Sequence, residues 1–452
     1  MSERIDVVVI GMGPGGEHVA GRLADAGLSV VGIERDLVGG ECPYWGCVPS
    51  KMAVRTANLV AEARRIPGMA GAATVIPEWE PVARRIRDEA TDDWDDQVAV
   101  DRFVGKGGRF VRGEGRIVAP GVVEAGAERF EADRAIVVAT GTRPVIPPVS
   151  GLAGIPYWTN REALEAKDLP SSLVVLGGGA VGVELGQVFA RFGVRVTIVE
   201  AAPRLLPLEE PEAGEVVARA LAADGVDVRV GVTASLIARE GARVAVELSD
   251  HSTVTGKRVL VAAGRRADPA AVGLNAVGVP PDARSAPVDE HLRVAPGVWA
   301  VGDVTGQGAF THVAMYQANI AVADILGDPH APADYRALPG VTFTDPEVGS
   351  VGLTAAAGVE AGLDVRVGRA SLPSSARGWI HKAGNDGFVQ VVADAGRGVL
   401  VGATAVGPTG GEVLGLLTLA VHAEVPVARL REMIYAYPTF HRAVEDAVRD
   451  LG

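Results

Sequence analysis

The sequence predicts an α/β protein that uses one nucleotide-binding unit twice and ends in a smaller α+β domain. Three observations predict it. A strand, a glycine-rich turn, a helix and a second strand follow one another near the N-terminus, and the same order returns with the same spacing from about residue 172. Two cysteines five positions apart stand just after the first of these units. From about residue 336 the pattern becomes strand-rich and closes in two apolar helical runs, 412–423 and 441–450.

The first unit opens on the β-branched run Ile5 to Ile10. It passes through Gly11-Met12-Gly13-Pro14-Gly15-Gly16 into a helical stretch from Glu17 to Ala26, which Gly27 stops. A strand from Ser29 to Ile33 then ends on Glu34. The second unit runs from Leu173-Val174-Val175-Leu176 through Gly177-Gly178-Gly179-Ala180-Val181-Gly182 into a helix reaching Phe192. Gly193 stops that helix, and a strand ends on Glu200. In both copies the acid lies 21 positions after the second glycine of the motif (34 − 13 and 200 − 179). A lone motif of this kind is weak evidence, but here each sits between a strand and a helix. The first glycine makes the turn, the second admits a pyrophosphate, and the third lets helix pack on strand. The helix N-terminus offers N–H groups and a positive dipole to phosphate, and the acid takes ribose hydroxyls. Two such Rossmann-like units imply two dinucleotides. Pro144, Pro147, Pro148 and Gly151 mark the exit from the first domain.

Length and composition fit this plan. A chain of 452 residues corresponds to about three domains. It is 48% hydrophobic and 22% charged, the balance of a globular protein with large cores. The net charge of −13 is spread along the chain, which argues against a nucleic-acid or anionic-membrane partner. Residues 1–6 run straight into an apolar strand without the basic region of a signal peptide. The longest apolar stretch, Val413 to Val421, falls short of the roughly 18 residues a membrane span needs. A cytoplasmic location is the expectation.

Cys42 and Cys47 admit three readings. A structural staple would close a tiny loop and remove little chain entropy. A metal site would have half a tetrahedral zinc shell and no histidine nearby in sequence. A redox-active pair fits the cytoplasm, where lasting disulfides are mostly catalytic or redox-sensing. Residues Lys51 to Arg65 look helical, so Cys47 stands near a helix N-terminus, a position that favours the reactive thiolate. Lys51 adds positive charge there.

The Cys-x4-Cys element followed by Val48-Pro49-Ser50-Lys51 resembles that of the class I pyridine nucleotide–disulfide oxidoreductases, the family of glutathione reductase, dihydrolipoamide dehydrogenase and mercuric reductase. The resemblance covers nearly the whole chain. Ala139-Thr140-Gly141 and Ala263-Gly264-Arg265-Arg266 look like the family's crossings between domains. Trp299-Ala300-Val301-Gly302-Asp303 resembles its second FAD motif, and Thr311-His312-Val313-Ala314 the segment beside the flavin ring. Phe343-Thr344-Asp345-Pro346-Glu347-Val348 resembles the opening of its dimerisation domain.

The resemblance implies an FAD-binding domain of residues 1–150 and 265–335, an NAD(P)H-binding domain of 151–264, and a dimerisation domain of 336–452. It implies that Gly11, Gly13, Gly15, Gly16, Glu34, Lys51, Gly115, Thr140, Gly141, Asp303 and Ala314 serve FAD. Gly177, Gly179, Val181, Gly182, Glu200 and Gly264 would serve NAD(P)H. Cys47 would be the flavin-proximal, charge-transfer thiol and Cys42 the interchange thiol that meets the substrate. Lys51 would pair with Glu184 near the flavin. A homodimer and a small-molecule electron acceptor are implied as partners. Glu200 repels a 2′-phosphate, with Arg204 the only nearby counter-charge, so NADH is expected over NADPH.

Two departures stand out. Where thiol-reducing members carry His-Pro-Thr and a glutamate, this chain has Tyr437-Pro438-Thr439-Phe440-His441-Arg442. Tyrosine replaces the acid–base histidine and arginine replaces its glutamate. Tyrosine, with a reference pKa near 10, is a poor base at neutral pH. Mercuric reductase is similar in placing tyrosine here, but it needs a C-terminal cysteine pair, and this chain ends Asp450-Leu451-Gly452. His441, with Glu445 one helical turn on, is either a displaced base or a surface pair. The second departure is Tyr44-Trp45 between the cysteines, which either fill a pocket or stack on a flat substrate.

The expected activity is an NAD(P)H-dependent reductase passing electrons through Cys42 and Cys47 to a small disulfide or thiol-reactive acceptor. One alternative is a quinone-type reductase using the flavin directly. Another is a non-catalytic redox sensor or complex subunit that keeps FAD for structure.

Overall fold

The computed structural model describes residues 2–452. Contacts divide the chain into two compact units. The first gathers the residues up to Ser50 with Arg84–Val145 and Gly264–Asp334. The second gathers Lys51–Ala83, Ile146–Ala263 and Tyr335–Gly452.

The first unit is built on a sheet whose spine is parallel. Its order runs Val298–Ala300, Glu128–Val138, Glu3–Ile10, Val30–Glu34, Arg109–Arg112. Arg293–Ala295 flanks this spine antiparallel on one edge, and Gly115–Ala119 with Val122–Ala125 form a hairpin against Glu128–Val138. Val7, Val8 and Val9 are wholly buried, because a central parallel strand is covered on both faces. One face packs on Pro14–Asp25 and Thr311–Leu326 through Val19, Leu23, Ala318 and Ala321. The other packs on Leu274, Val279 and the hairpin.

The second unit holds three sheets. A parallel sheet is ordered Asp227–Val230, Arg195–Glu200, Ser172–Leu176, Arg258–Val261. A three-stranded antiparallel sheet spans residues 234–256. A five-stranded antiparallel sheet is ordered Pro339–Thr342, Glu347–Gly352, Val399–Gly407, Phe388–Asp394, Val365–Ser371. Gly410–His422 and Arg442–Arg449 cover this last sheet through Val413, Leu417, Val444 and Val448, close to the two helical runs expected from sequence.

The repeat read from the sequence is present in the backbone. Ile10 pairs with Ile33 and Leu176 with Val199, so each first glycine faces the strand just before its acid. Gly11 N–H donates to Ile33 O and Gly177 N–H to Val199 O, both at 2.8 Å.

Candidate active site

At both glycine turns the backbone shows why the motif requires its residues. A Cβ on Gly11 would lie 2.5 Å from Ala139 O, and one on Gly177 would lie 2.2 Å from Ala262 O. A Cβ on Gly16 or Gly182 would strike the carbonyl of Gly11 or Gly177 at about 2 Å. Here strand and helix leave no room. Gly13 and Gly179 differ: a Cβ there would meet nothing within 4 Å. These middle glycines precede the first turns of the Pro14–Asp25 and Ala180–Arg191 helices, so the open space is a cradle at a helix N-terminus, where a pyrophosphate fits. The two acids are held identically. Glu34 accepts from Met12 N–H and Asp36 N–H, both at 2.8 Å, and Glu200 from Gly178 N–H and Ala202 N–H. Val181 is exposed on the first turn of the second helix, and Gly264 has open space around it.

The remaining residues expected at FAD gather in the first unit, apart from Lys51. Ala314 is wedged against the Cβ positions of Gly15 and Gly302, at 3.3 and 3.4 Å, which brings the Thr311–Leu326 helix close to the first glycine turn. Thr142 Oγ1 donates to Asp303 Oδ2 at 3.1 Å, and burial pushes the Asp303 carboxyl up from its ordinary range. Thr140 and Gly141 stand just before that contact, with Gly141 at φ +63°. Gly115 packs over Ile10 and Ile33.

The redox loop is bound to the same turn. Gly39 N–H donates to Met12 O at 2.7 Å, and a Cβ on Gly40 would lie 2.9 Å from Gly13 Cα. Cys42 lies in a single helical turn, Glu41–Tyr44, and Cys47 begins the Cys47–Arg65 helix. That helix starts four residues earlier than the sequence pattern indicated, with Cys47 itself as its first residue. Cys47 Sγ is 3.4 Å from Thr311 Oγ1. The two sulfurs are not bridged to each other. The hydrogen bond of Cys42 to Cys47 and, after it, burial push the Cys42 thiol well above the ordinary thiol range. Tyr44 and Trp45 are each only 7% exposed, with rings 5.8 Å apart. Burial answers the question left open for them: they fill the protein interior and offer no face for a flat substrate.

In the second unit Lys51 Nζ donates to Glu184 Oε2 at 2.8 Å and lies 4.7 Å from the Phe343 ring centre. Glu184 is buried, and its other oxygen accepts from Phe343 N–H at 2.8 Å. Sequence reasoning did not find the charged network behind this pair. Arg191, 2% exposed, donates to Asp224, Asp345 and Asn58, and Asp345 also accepts from Arg65. The available signal was Glu184, Gln187 and Arg191 recurring at three- and four-residue spacing on one face of an otherwise apolar helix.

Tyr437 is 73% exposed. His441 stands at the N-cap of the Arg442–Arg449 helix. Glu445 does not serve it: its oxygens go to Arg442 at 2.7 Å and Arg449 at 2.6 Å.

Comparison with known proteins agrees with this geometry. Residues 5–318 match the family model described as pyridine nucleotide-disulphide oxidoreductase, and residues 338–448 match its dimerisation domain. A dihydrolipoyl dehydrogenase of Chlorobaculum tepidum is 34% identical, covering 100% of this chain and 97% of its own. A mercuric reductase of Acidithiobacillus ferrooxidans is 32% identical over 97% of this chain and 81% of its own. Among solved structures, LpdA from Mycobacterium tuberculosis superposes with a TM-score of 0.86 at 28% identity, with 100% of each chain covered. The Cu(II) complex of the HOCl-induced flavoprotein disulfide reductase RclA from Escherichia coli does so with 0.86 at 25% identity and 99% coverage of each. Among the described residues no helix is long and apolar enough to cross a membrane. With both nucleotide cradles, the cysteine pair and a dimerisation domain in place, the chain belongs to the class I pyridine nucleotide–disulphide oxidoreductases, as an FAD-dependent enzyme using NAD(P)H.

Proposed function

We propose that this enzyme uses NADH to reduce a small thiol-reactive acceptor through Cys42 and Cys47, and that the acceptor is one whose reduction needs little proton relay. The observation that carries the reading is the combination at the thiols. Cys42 holds its proton against Cys47, and the position of the family's histidine base is taken by Tyr437.

When bound, FAD supplies the two-electron relay between nicotinamide and cysteines. The chain's own residues do the rest. Lys51, steadied by Glu184 and Phe343, supplies the fixed positive charge that the resemblance places near the flavin. Thr311 steadies the Cys47 sulfur. In the dithiol state Cys42 gives its proton to solvent, its thiolate attacks an acceptor sulfur, and the first leaving thiolate takes up a proton as a mixed disulfide forms. Cys47 then attacks Cys42, releases the second thiol and restores the Cys42–Cys47 disulfide. Each cycle takes two electrons and two protons to the acceptor.

NADH is the expected donor because Arg204, four residues on from Glu200 in sequence, donates to the carbonyls of Leu206, Glu209 and Pro207. Arg204 is thus engaged by its own turn, which leaves the negative charge of Glu200 to disfavour a 2′-phosphate. A second copy of the chain is supported as the partner by the exposed apolar side chains Trp379, Ile434 and Tyr437 in the dimerisation domain, 77%, 96% and 73% exposed. A cytoplasmic location suits a pair that must be re-reduced.

One relative is named for mercuric ion and another was solved with Cu(II), but mercury is disfavoured here because Cys42 and Cys47 are the only cysteines in the sequence, so metal ions enter the test as a comparison. Direct reduction of quinones remains the second reading, favoured by the missing base but no longer by the buried Tyr44 and Trp45. The test is anaerobic reduction with NADH and stopped-flow reoxidation by disulfides, quinones and thiol-binding metal ions. The expected result is rapid reoxidation by a thiol-reactive acceptor that Cys42→Ser abolishes. Turnover that survives Cys42→Ser with every acceptor overturns the reading in favour of quinone chemistry.

A further inference from the structure

Residues 91–96 form an unusual turn. Asp92, Asp93 and Trp94 have φ of 48°, 54° and 58°, three successive non-glycine residues in the left-handed region. That region is uncommon for any side chain and a marked outlier for a bulky one. The turn follows a single π-helical turn, Ile86–Ala90. It is tied back to that turn by Thr91 N–H and Asp93 N–H, which donate to the carbonyls of Ile86 and Arg87. Strain of this kind persists only where surrounding contacts over-determine it.

The contacts that hold it lead to the redox loop. Trp94 Nε1 donates to the carbonyl of Tyr44 at 3.2 Å. Tyr44 Oη donates back to the carbonyl of Asp95 at 3.3 Å. The buried Asp96 accepts from Val38 N–H at 2.6 Å and is itself held by Arg112 at 2.6 and 2.8 Å. The loop that carries Cys42 and Cys47 is thus fastened before the first cysteine and again, from both ends of one residue, between the two.

We infer that this turn is a strut for the cysteine pair, with Trp94 as a positioning residue that sets the equilibrium between disulfide and dithiol. The inference rests on the reading that Cys42 and Cys47 cycle between those states. A disulfide constrains its own loop, whereas a dithiol does so only if something else holds it. The strut denies the dithiol the freedom it would otherwise gain, which keeps the two sulfurs at high effective concentration for each other. It therefore favours the disulfide and makes the dithiol the stronger reductant.

The exchange measured is protein disulfide plus two glutathiones giving protein dithiol plus one glutathione disulfide. Holoenzyme is equilibrated in glutathione buffers, quenched with acid and alkylated, and the peptide with both cysteines is weighed. Trp94→Phe keeps a ring and removes the hydrogen bond to Tyr44. It should shift the equilibrium about tenfold toward the dithiol, or about 30 mV for two electrons. Tyr44→Phe, which keeps Trp94, should shift it the same way and decides the matter if Trp94→Phe does not fold. Equilibria unchanged in the folded variants, with melting temperature alone lowered, leave the turn a merely structural element and overturn the strut. A wild-type pair that bridges in no buffer overturns the redox reading with it.

Discussion

Cys42 and Cys47 are chemically alike, and only their surroundings separate them. Cys42 donates its proton toward Cys47 and is partly buried, while Cys47 opens a helix and faces Thr311. On two-electron reduction the Cys47 thiolate should therefore produce a long-wavelength band with FAD. Cys42→Ser should show that band without reduction, and absorbance spectra in which only Cys47→Ser shows it would reverse the assignment. The pH dependence follows from the same contacts. A thiol pushed up by a hydrogen bond and burial is mostly protonated, and so inert as a nucleophile, at neutral pH. Turnover of a disulfide should rise steadily between about pH 6 and 9, because thiolate is the attacking form. A pH–rate profile flat across that window would show that another group takes the proton. The glycines allow a sharper separation. Gly179→Ala meets open space in the protein and should fold normally, yet its methyl intrudes on the phosphate cradle. The expected outcome is a KM for NADH raised tenfold or more with an unchanged melting curve. Gly182→Ala strikes a carbonyl and should lower stability instead.

Elements are held by charge as well as by apolar packing. Arg191 lies on the Ala180–Arg191 helix, whose first turn forms the second cradle and whose Glu184 holds Lys51. Its guanidinium binds Asp224, Asp345 and Asn58, so one buried cation joins three stretches of chain. Breaking a buried pair by removing one partner leaves an uncompensated charge, at a cost of about 3–5 kcal/mol. Arg191→Leu should lose stability of that order in urea denaturation. A loss below about 1 kcal/mol would mean that water or relaxed neighbours replace the guanidinium. The antiparallel hairpin at residues 115–125 and the three-stranded sheet at 234–256 were not anticipated from the pattern of apolar residues. Their strands are short and half-exposed, and such periodicity is easily read as loop.

At the scale of the whole molecule, the dimerisation domain presents Trp379, Ile434 and Tyr437 to solvent in the single chain. Residues 338–448 match a dimerisation domain, so a second copy of the chain is the partner expected to cover such side chains. Ile434→Asp should shift the protein from dimer to monomer in analytical ultracentrifugation, with loss of thiol-dependent turnover. Without a histidine base, reduction of glutathione disulfide and lipoamide should be slow, since general acid–base help is typically worth 10²–10⁴-fold. Tyr437→His should raise it only modestly, because Arg442 takes the place of the orienting glutamate and Glu445 is already held by Arg442 and Arg449. Lipoamide reduction at the full rate of histidine-bearing relatives, measured by steady-state kinetics, would show that the proton is handled elsewhere.

The sequence by itself determined the repeated unit, the family, and FAD with a pyridine nucleotide as the cofactors, and it singled out the two cysteines. Each of these rests on local chemistry that spacing preserves: a glycine where no Cβ fits, an acid at the end of the next strand, a cysteine at the first turn of a helix. What only the tertiary structure decided depends on residues distant in sequence. Tyr44 and Trp45 were open between pocket filling and substrate stacking until burial assigned them to the interior. Glu445 was a candidate partner for His441 until Arg442 and Arg449 took its oxygens. The turn at residues 91–96 is the clearest case. A tryptophan among four aspartates reads as solvent-exposed chain, because no local pattern encodes three left-handed residues. Among the contacts that hold it is the carbonyl of Tyr44, fifty positions away, which receives the indole.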